Sequence, residues 1–156
     1  MTSLAVVLMV EDNEDDVLVV RRAFRAAGIL NPVIVARTGE EAITYLEAKG
    51  RYWSRAEFPL PRIILLDLKM PGLDGFDTLS WIRSRDEFAG IAVIVLTSSG
   101  QLRDIQRAYQ LGANSFIVKE TEFRDVVTMS KMLKEYWLGL NKAYPVERRD
   151  RKMADE

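Results

Sequence analysis

The chain contains no cysteine and no histidine. Without cysteine there are no disulfides, thiolate zinc sites or cysteine nucleophiles. Without histidine there is no Ser-His-Asp triad, no imidazole metal site and no phosphohistidine on this chain. The side chain that most often titrates near neutrality is missing as well. Charge of one sign is not in excess: 22 Lys and Arg face 23 Asp and Glu, for a net charge of -1. That balance argues against a non-specific nucleic-acid binder, which is usually basic. Long apolar runs are also lacking. Leu4–Val10 and Ile91–Leu96 fall far short of the ~18 residues that a membrane span needs. No basic residue precedes the first run, and Glu11-Asp12 follow it at once, which is not the pattern of a signal peptide. A cytoplasmic protein with neither a membrane nor a nucleic-acid partner is expected. Its chemistry must run on carboxylates, hydroxyls and lysine, with or without a hard metal ion.

What is present suits one globular domain. The chain has 156 residues, and a ~150-residue domain buries roughly 68–70% of its unfolded surface. A content of 48% hydrophobic residues excludes a disordered or low-complexity chain. Short apolar runs alternate with amphipathic segments. Leu4–Val10 reads as a strand buried on both faces. From Asn13 the apolar residues Val17, Val20, Ala23, Phe24 and Ala27 recur at helical spacing up to Gly28. Pro32–Ala36 is a second strand, with Thr38-Gly39 as turn and cap, and Glu41–Lys49 a helix with Ala42, Ile43 and Leu46 inward. Gly50–Pro61 reads as a long loop. Ile63–Leu66 is a third strand, Phe76–Arg83 a helix and Ile91–Leu96 a fourth strand. Leu102–Leu111 is a helix closed by Gly112, and Ser115–Val118 a fifth strand. Phe123–Leu140 is a last helix, with Phe123, Val126, Val127, Leu133, Trp137 and Leu140 on one stripe. This β–α alternation predicts an α/β fold, a doubly wound parallel sheet with helices on both faces.

In such sheets ligands sit beyond the carboxyl ends of the strands. The residues there are Glu11, Asp12, Asp67, Thr97 and Lys119. Clustered carboxylates repel one another unless a cation joins them. Oxygen ligands without His or Cys suit a hard ion such as Mg2+. A lysine and a hydroxyl beside that ion can hold phosphoryl oxygens, and a carboxylate can itself accept the phosphoryl group.

Four segments in this order resemble the receiver domain of two-component response regulators. They are Val-Glu-Asp-Asn at 10–13, Leu-Leu-Asp-Leu-Lys-Met-Pro-Gly-Leu-Asp-Gly at 65–75, Val-Leu-Thr-Ser at 95–98 and Leu-Gly-Ala-Asn-Ser-Phe-Ile-Val-Lys at 111–119. The Glu11–Asp16 acidic stretch, Arg22-Ala23-Phe24 and the Tyr136-Trp137 helix are most similar to regulators paired with phytochrome kinases. The resemblance implies a flavodoxin-like sheet of five strands, order 2-1-3-4-5, over residues 1–145, followed by a charged tail at 146–156. It implies Asp67 as phosphoacceptor from a histidine kinase, of which a bacteriophytochrome is one candidate. Asp12 is implied as the direct Mg2+ ligand, Glu11 as acting mainly through water, and Lys69 as binding through its backbone carbonyl. Thr97 and Lys119 match the hydroxyl and ammonium that meet the phosphoryl group. Phe116 matches the aromatic switch that follows Thr97. Such a domain is not an enzyme in the turnover sense: it phosphorylates itself and slowly loses the phosphate. With no residues left after about 145 for an output domain, output through protein contact is expected, with a homodimer through the fourth-helix and fifth-helix face.

One departure from the family stands out. Lys119 is followed by Glu120 where the family usually has a proline after a cis bond. A cis bond before a non-proline residue costs ~3–4 kcal/mol, so the expectation is a trans bond with a rearranged loop, or a strained cis bond held by its surroundings. Some features carry structural readings. Asp15 and Asp16 complement a helix dipole, Asp74 caps a turn, and the basic run Arg148–Lys152 is a solvated tail. Competing functions are a phosphate-independent pseudo-receiver and an aspartate-nucleophile phosphatase. The latter needs an acid where Lys69 stands. No Gly-x-x-x-x-Gly-Lys-Ser/Thr run exists for a P-loop hydrolase.

Overall fold

The computed structural model describes residues 4–145. The expectation of a charged tail at 146–156 lies outside the described residues. Five strands, β1 (Val7–Val10), β2 (Val33–Ala36), β3 (Ile63–Leu66), β4 (Ala92–Thr97) and β5 (Ser115–Val118), alternate with five helices. The helices are α1 (Glu14–Ala26), α2 (Gly39–Leu46), α3 (Gly75–Ser84), α4 (Leu102–Gln110) and α5 (Phe123–Glu135). The sheet is wholly parallel in the order β2-β1-β3-β4-β5, as the resemblance implied.

Alternation along each strand splits the core in two, because successive side chains point to opposite faces. Leu8, Val10, Ile64, Leu66, Val93 and Val95 face α2, α3 and α4, where Ala42, Tyr45, Leu46, Phe76, Leu79, Ile82 and Ala108 close over them. Val7, Met9, Ile63, Leu65, Ile94 and Leu96 face α1 and α5, packing with Val17, Val20, Phe24 and Leu133. Both faces of the central strands are covered, so they are apolar throughout rather than alternating with polar residues.

The helix starts follow capping chemistry. Asn13 and Thr38 each accept a backbone N–H from the first turn of α1 and α2 at 3.0 Å. Asp74 does the same for α3 at 2.9 Å, as its turn-and-cap reading expected.

Several boundaries differ from expectation. Residues 4–6 precede the first ladder rather than belonging to it, although Val6 accepts the Arg62 N–H at 2.9 Å. The segment at 50–61 is organised, not a plain loop. It opens with a 3-10 turn at Gly50–Tyr52, and Tyr45, Tyr52 and Phe58 meet edge-to-face with centroids 5.0–6.2 Å apart. Tyr45 is fully buried and its phenol donates to Pro59 O at 2.7 Å. Ile43, expected inward, is only half-buried.

The last helix is α-helical only to Glu135, and a π turn carries Tyr136–Leu140. The wider turn shifts the register of the stripe. Leu140 is exposed, and so is Phe123 at the first position of α5. Beyond the turn, Asn141 O accepts from Arg62 at 2.6 Å, and the Tyr144 ring crowds Gly90. Among the described residues no helix is long and apolar enough to cross a membrane.

Candidate phosphoryl and metal site

The carboxyl edge of the sheet gathers the residues that the sequence singled out. Backbone pairing continues one residue past three strands and fixes the first side chain beyond each. Glu11 N donates to Ala36 O at 3.0 Å, Asp67 N to Val10 O at 3.1 Å and Lys119 N to Thr97 O at 2.8 Å. The Lys119–Glu120 peptide is trans, since the described residues contain no cis bond. The bond is thus trans rather than a strained cis one, and Lys119 still reaches the site.

Its ammonium donates to Glu11 Oε2 at 2.8 Å, to Asp16 Oδ2 at 2.7 Å and to Asp67 Oδ2 at 3.3 Å. The other oxygens are engaged too. Glu11 Oε1 accepts the Asn13 N–H at 3.1 Å, and Asp67 Oδ1 the Lys69 N–H at 3.3 Å. The second contact folds the Lys69 backbone back onto the Asp67 carboxylate. Glu11 and Asp67 are buried, at 4% and 7% exposure, while Asp12 faces solvent.

Oxygens of Glu11, Asp12 and Asp67 lie within 4.8 Å of one another. Three carboxylates this close, with one ammonium to balance them, leave a local excess of negative charge. Burial pushes the Glu11 carboxyl up to about 7. Its hydrogen bond to Lys119 opposes the rise and the Asp67 charge adds to it. Burial disfavours the charged Lys119, but hydrogen bonds to Asp16 and Glu11 and the charge of Asp67 outweigh it and hold the ammonium above its ordinary pKa. An all-oxygen, anionic, partly solvent-open set of this kind fits a hard divalent cation such as Mg2+. A larger groove of about 420 Å³ runs along β5 and α5, away from the carboxylates, so size alone does not mark the chemistry.

Thr97 ends β4 fully buried, and its hydroxyl has no hydrogen-bond partner among the described residues. A buried hydroxyl without a partner is costly, which fits a ligand oxygen as its missing partner. The loop after it is pinned by Ser99, whose hydroxyl donates to Asp104 Oδ2 at 2.5 Å. Phe116, one strand over, is half-buried against the α2–α4 side of the core.

The sequence missed one member of this site and a contact in the loop after Thr97. Asp16 carries one of the shortest contacts to Lys119, although acids in a first helical turn read as dipole partners alone. The Ser99–Asp104 pair read only as loop and helix start. Neither leaves a pattern in the sequence, because each depends on how α1 and α4 pack at the sheet edge.

Comparison with known proteins agrees with this geometry. The family model described as response regulator receiver domain matches residues 7–131. A probable methanogenesis regulatory protein, FilR2 of Methanothrix harundinacea, is 37% identical over 141 residues, covering 88% of this chain and 86% of its own. The crystal structure of the phosphorylated cyanobacterial phytochrome response regulator RcpA superposes with a TM-score of 0.83 at 31% identity, covering 92% of this chain and all of that one. The Mn(2+)-bound form of response regulator Rcp1, a protein of Synechocystis, gives a TM-score of 0.79 at 30% identity, covering 90% and 99%.

Proposed function

This chain belongs to the response regulator receiver-domain family, and on that premise we propose that it is a phosphorylation-dependent switch that accepts a phosphoryl group on Asp67. The observation that carries this reading is the convergence of Glu11 and Asp12 on Asp67, with oxygens of all three within 4.8 Å of one another and Lys119 donating to Asp67 at 3.3 Å. With no histidine of its own, the chain must take the phosphoryl group from another molecule, and a histidine kinase is the donor of matching chemistry. An Asp67 oxygen attacks the phosphorus, the P–N bond of the phosphohistidine breaks, and the imidazole leaves with the electron pair. Lys119 then holds a phosphoryl oxygen and the Thr97 hydroxyl donates to another. Mg2+, held by Asp12, Asp67 and the Lys69 carbonyl, with Glu11 behind them, would supply the positive charge that lets a dianion approach carboxylates. Loss of the signal is hydrolysis: water attacks phosphorus, the P–O bond to Asp67 breaks, and the carboxylate and inorganic phosphate separate. We assign this step as slow, with no imidazole on the chain to serve as its base.

Similarity to phytochrome regulators supports a bacteriophytochrome-type kinase as donor, and with it a cytoplasmic site of action. Output is assigned to protein contact. Exposed Leu102 and Tyr109 on α4, Val118 on β5 and Met132 and Tyr136 along the last helix support a homodimer through the α4–α5 face. Sedimentation should show dimers with beryllofluoride, and a monomer with and without it at high concentration defeats the dimer. The central test is phosphotransfer with Mg2+ from candidate kinases. Wild type should label and Asp67→Asn should not. Partner affinity that ignores both Asp67→Asn and Mg2+ would favour a pseudo-receiver instead.

A further inference from the structure

Lys119 has three N–H donors, and three carboxylates take them. The contacts are unequal: Asp16 at 2.7 Å and Glu11 at 2.8 Å are closer than Asp67 at 3.3 Å. The ammonium is therefore drawn toward the flanking acids more than toward the acceptor. Glu11 also belongs to the cation-binding cluster with Asp12 and Asp67, whereas Asp16 lies outside it. The Asp16 backbone is fixed by its N–H donating to Asn13 Oδ1 at 3.0 Å in the first turn of α1. That turn aims its carboxylate across to the end of β5.

Stability is a poor account of this contact. The Asp16 side chain is 41% exposed, and ion pairs this open to water add little to folding. The contact matters instead for what arrives. A phosphoryl group on Asp67 brings anionic oxygens that need N–H donors, and Lys119 has none to spare. Releasing Glu11 would strand a buried carboxylate, whereas releasing Asp16 returns a half-exposed one to water.

We propose that Asp16 is a positioning residue that acts through Lys119, holding the ammonium at rest and setting the threshold for phosphoryl uptake. Uptake exchanges the Asp16–Lys119 hydrogen bond for one from Lys119 to a phosphoryl oxygen. The proposal deepens the receiver reading and rests on it.

The test uses the full chain with Mg2+ and beryllofluoride as the phosphoryl mimic, with affinity read by fluorine NMR or calorimetry rather than turnover. Asp16→Asn keeps an accepting oxygen but loses the charge, and should bind beryllofluoride about three- to tenfold more tightly. Asp16→Ser should move in the same direction, and Asp16→Glu should stay near wild type. Asp15→Asn removes the same formal charge from an exposed neighbour and should change affinity by less than about twofold. A scaffold role predicts weaker binding in Asp16→Asn, so weaker or unchanged binding overturns the proposal. An equal gain in Asp15→Asn overturns it as well, because net charge would then suffice. If wild type binds no beryllofluoride, the receiver reading itself fails. If wild type binds and Asp16→Asn gains nothing, only the role of Asp16 falls.

Discussion

Thr97 and Glu11 show how single residues hold this site away from its most stable form. The Thr97 hydroxyl is buried without a partner among the described residues, so a shape-matched apolar side chain should suit the resting protein at least as well. Thr97→Val is expected to leave unfolding free energy unchanged or raise it by about 1 kcal/mol. The same change should weaken beryllofluoride binding about tenfold, by removing a donor to a charged ligand. Denaturant unfolding paired with the binding isotherm checks both arms. A clear loss of stability would show that the hydroxyl is already satisfied at rest. Glu11 gives a pH dependence. Its folded pKa of about 7 stands above the ordinary 4.5, so the folded, cation-free protein holds a proton that the unfolded chain has lost. The stabilising share of Glu11 is thus full below about 4.5 and fades as pH rises through about 7. Cation binding runs the other way, because the proton must leave first. Mg2+ affinity should rise about tenfold from pH 6 to pH 8. Glu11→Gln should flatten that slope in calorimetric titrations, and a wild-type slope near zero would contradict the assignment.

At the scale of elements, legibility followed the strength of the local signal. β3 and β5 lie where the sequence placed them, because short apolar runs end abruptly at Asp67 and Lys119. β1 began three residues later than its apolar run, since apolar composition reports burial and not where the ladder starts. The burial of Tyr45 is not legible in the sequence, because a phenol on a helix does not announce that its hydroxyl will meet the Pro59 carbonyl across a loop. A constant 3.6 period does not describe the α5 stripe to its end, because the π turn at 136–140 breaks it. The join between β3 and α3 depends on a close approach that only glycine allows. A Cβ on Gly75 would sit 2.1 Å from the Asp67 carbonyl oxygen and 2.5 Å from Leu68 Cα. Both neighbours are backbone and cannot swing aside. Gly75→Ala should therefore cost about 2–3 kcal/mol of stability and slow labelling of Asp67 more than thermal unfolding alone explains. Chemical denaturation and phosphotransfer rates separate these effects, and a neutral Gly75→Ala would mean that the loop relaxes freely.

For the whole molecule, order along the chain and order in the sheet are different things. The sheet places β1 between β2 and β3 and leaves β5 at an edge. Alternation of segments was enough to read a doubly wound parallel sheet, and the strand-end rule was enough to bring Glu11, Asp12, Asp67, Thr97 and Lys119 together. Asp16 was not legible, because its partner stands 103 residues away. The same separation has a consequence for the life of a newly made chain. Lys119 joins Glu11 across 108 residues and Asp67 across 52, through a strand that closes the sheet last along the sequence. On the proposed reading, a chain whose edge strand has not docked would lack the ammonium that holds the phosphoryl group. Half-built copies would then neither drain a kinase nor give a false signal. In stopped-flow refolding, capacity to bind beryllofluoride should appear with the slowest folding phase. If it appears in the dead time, the pocket forms ahead of the sheet edge and this timing safeguard does not exist.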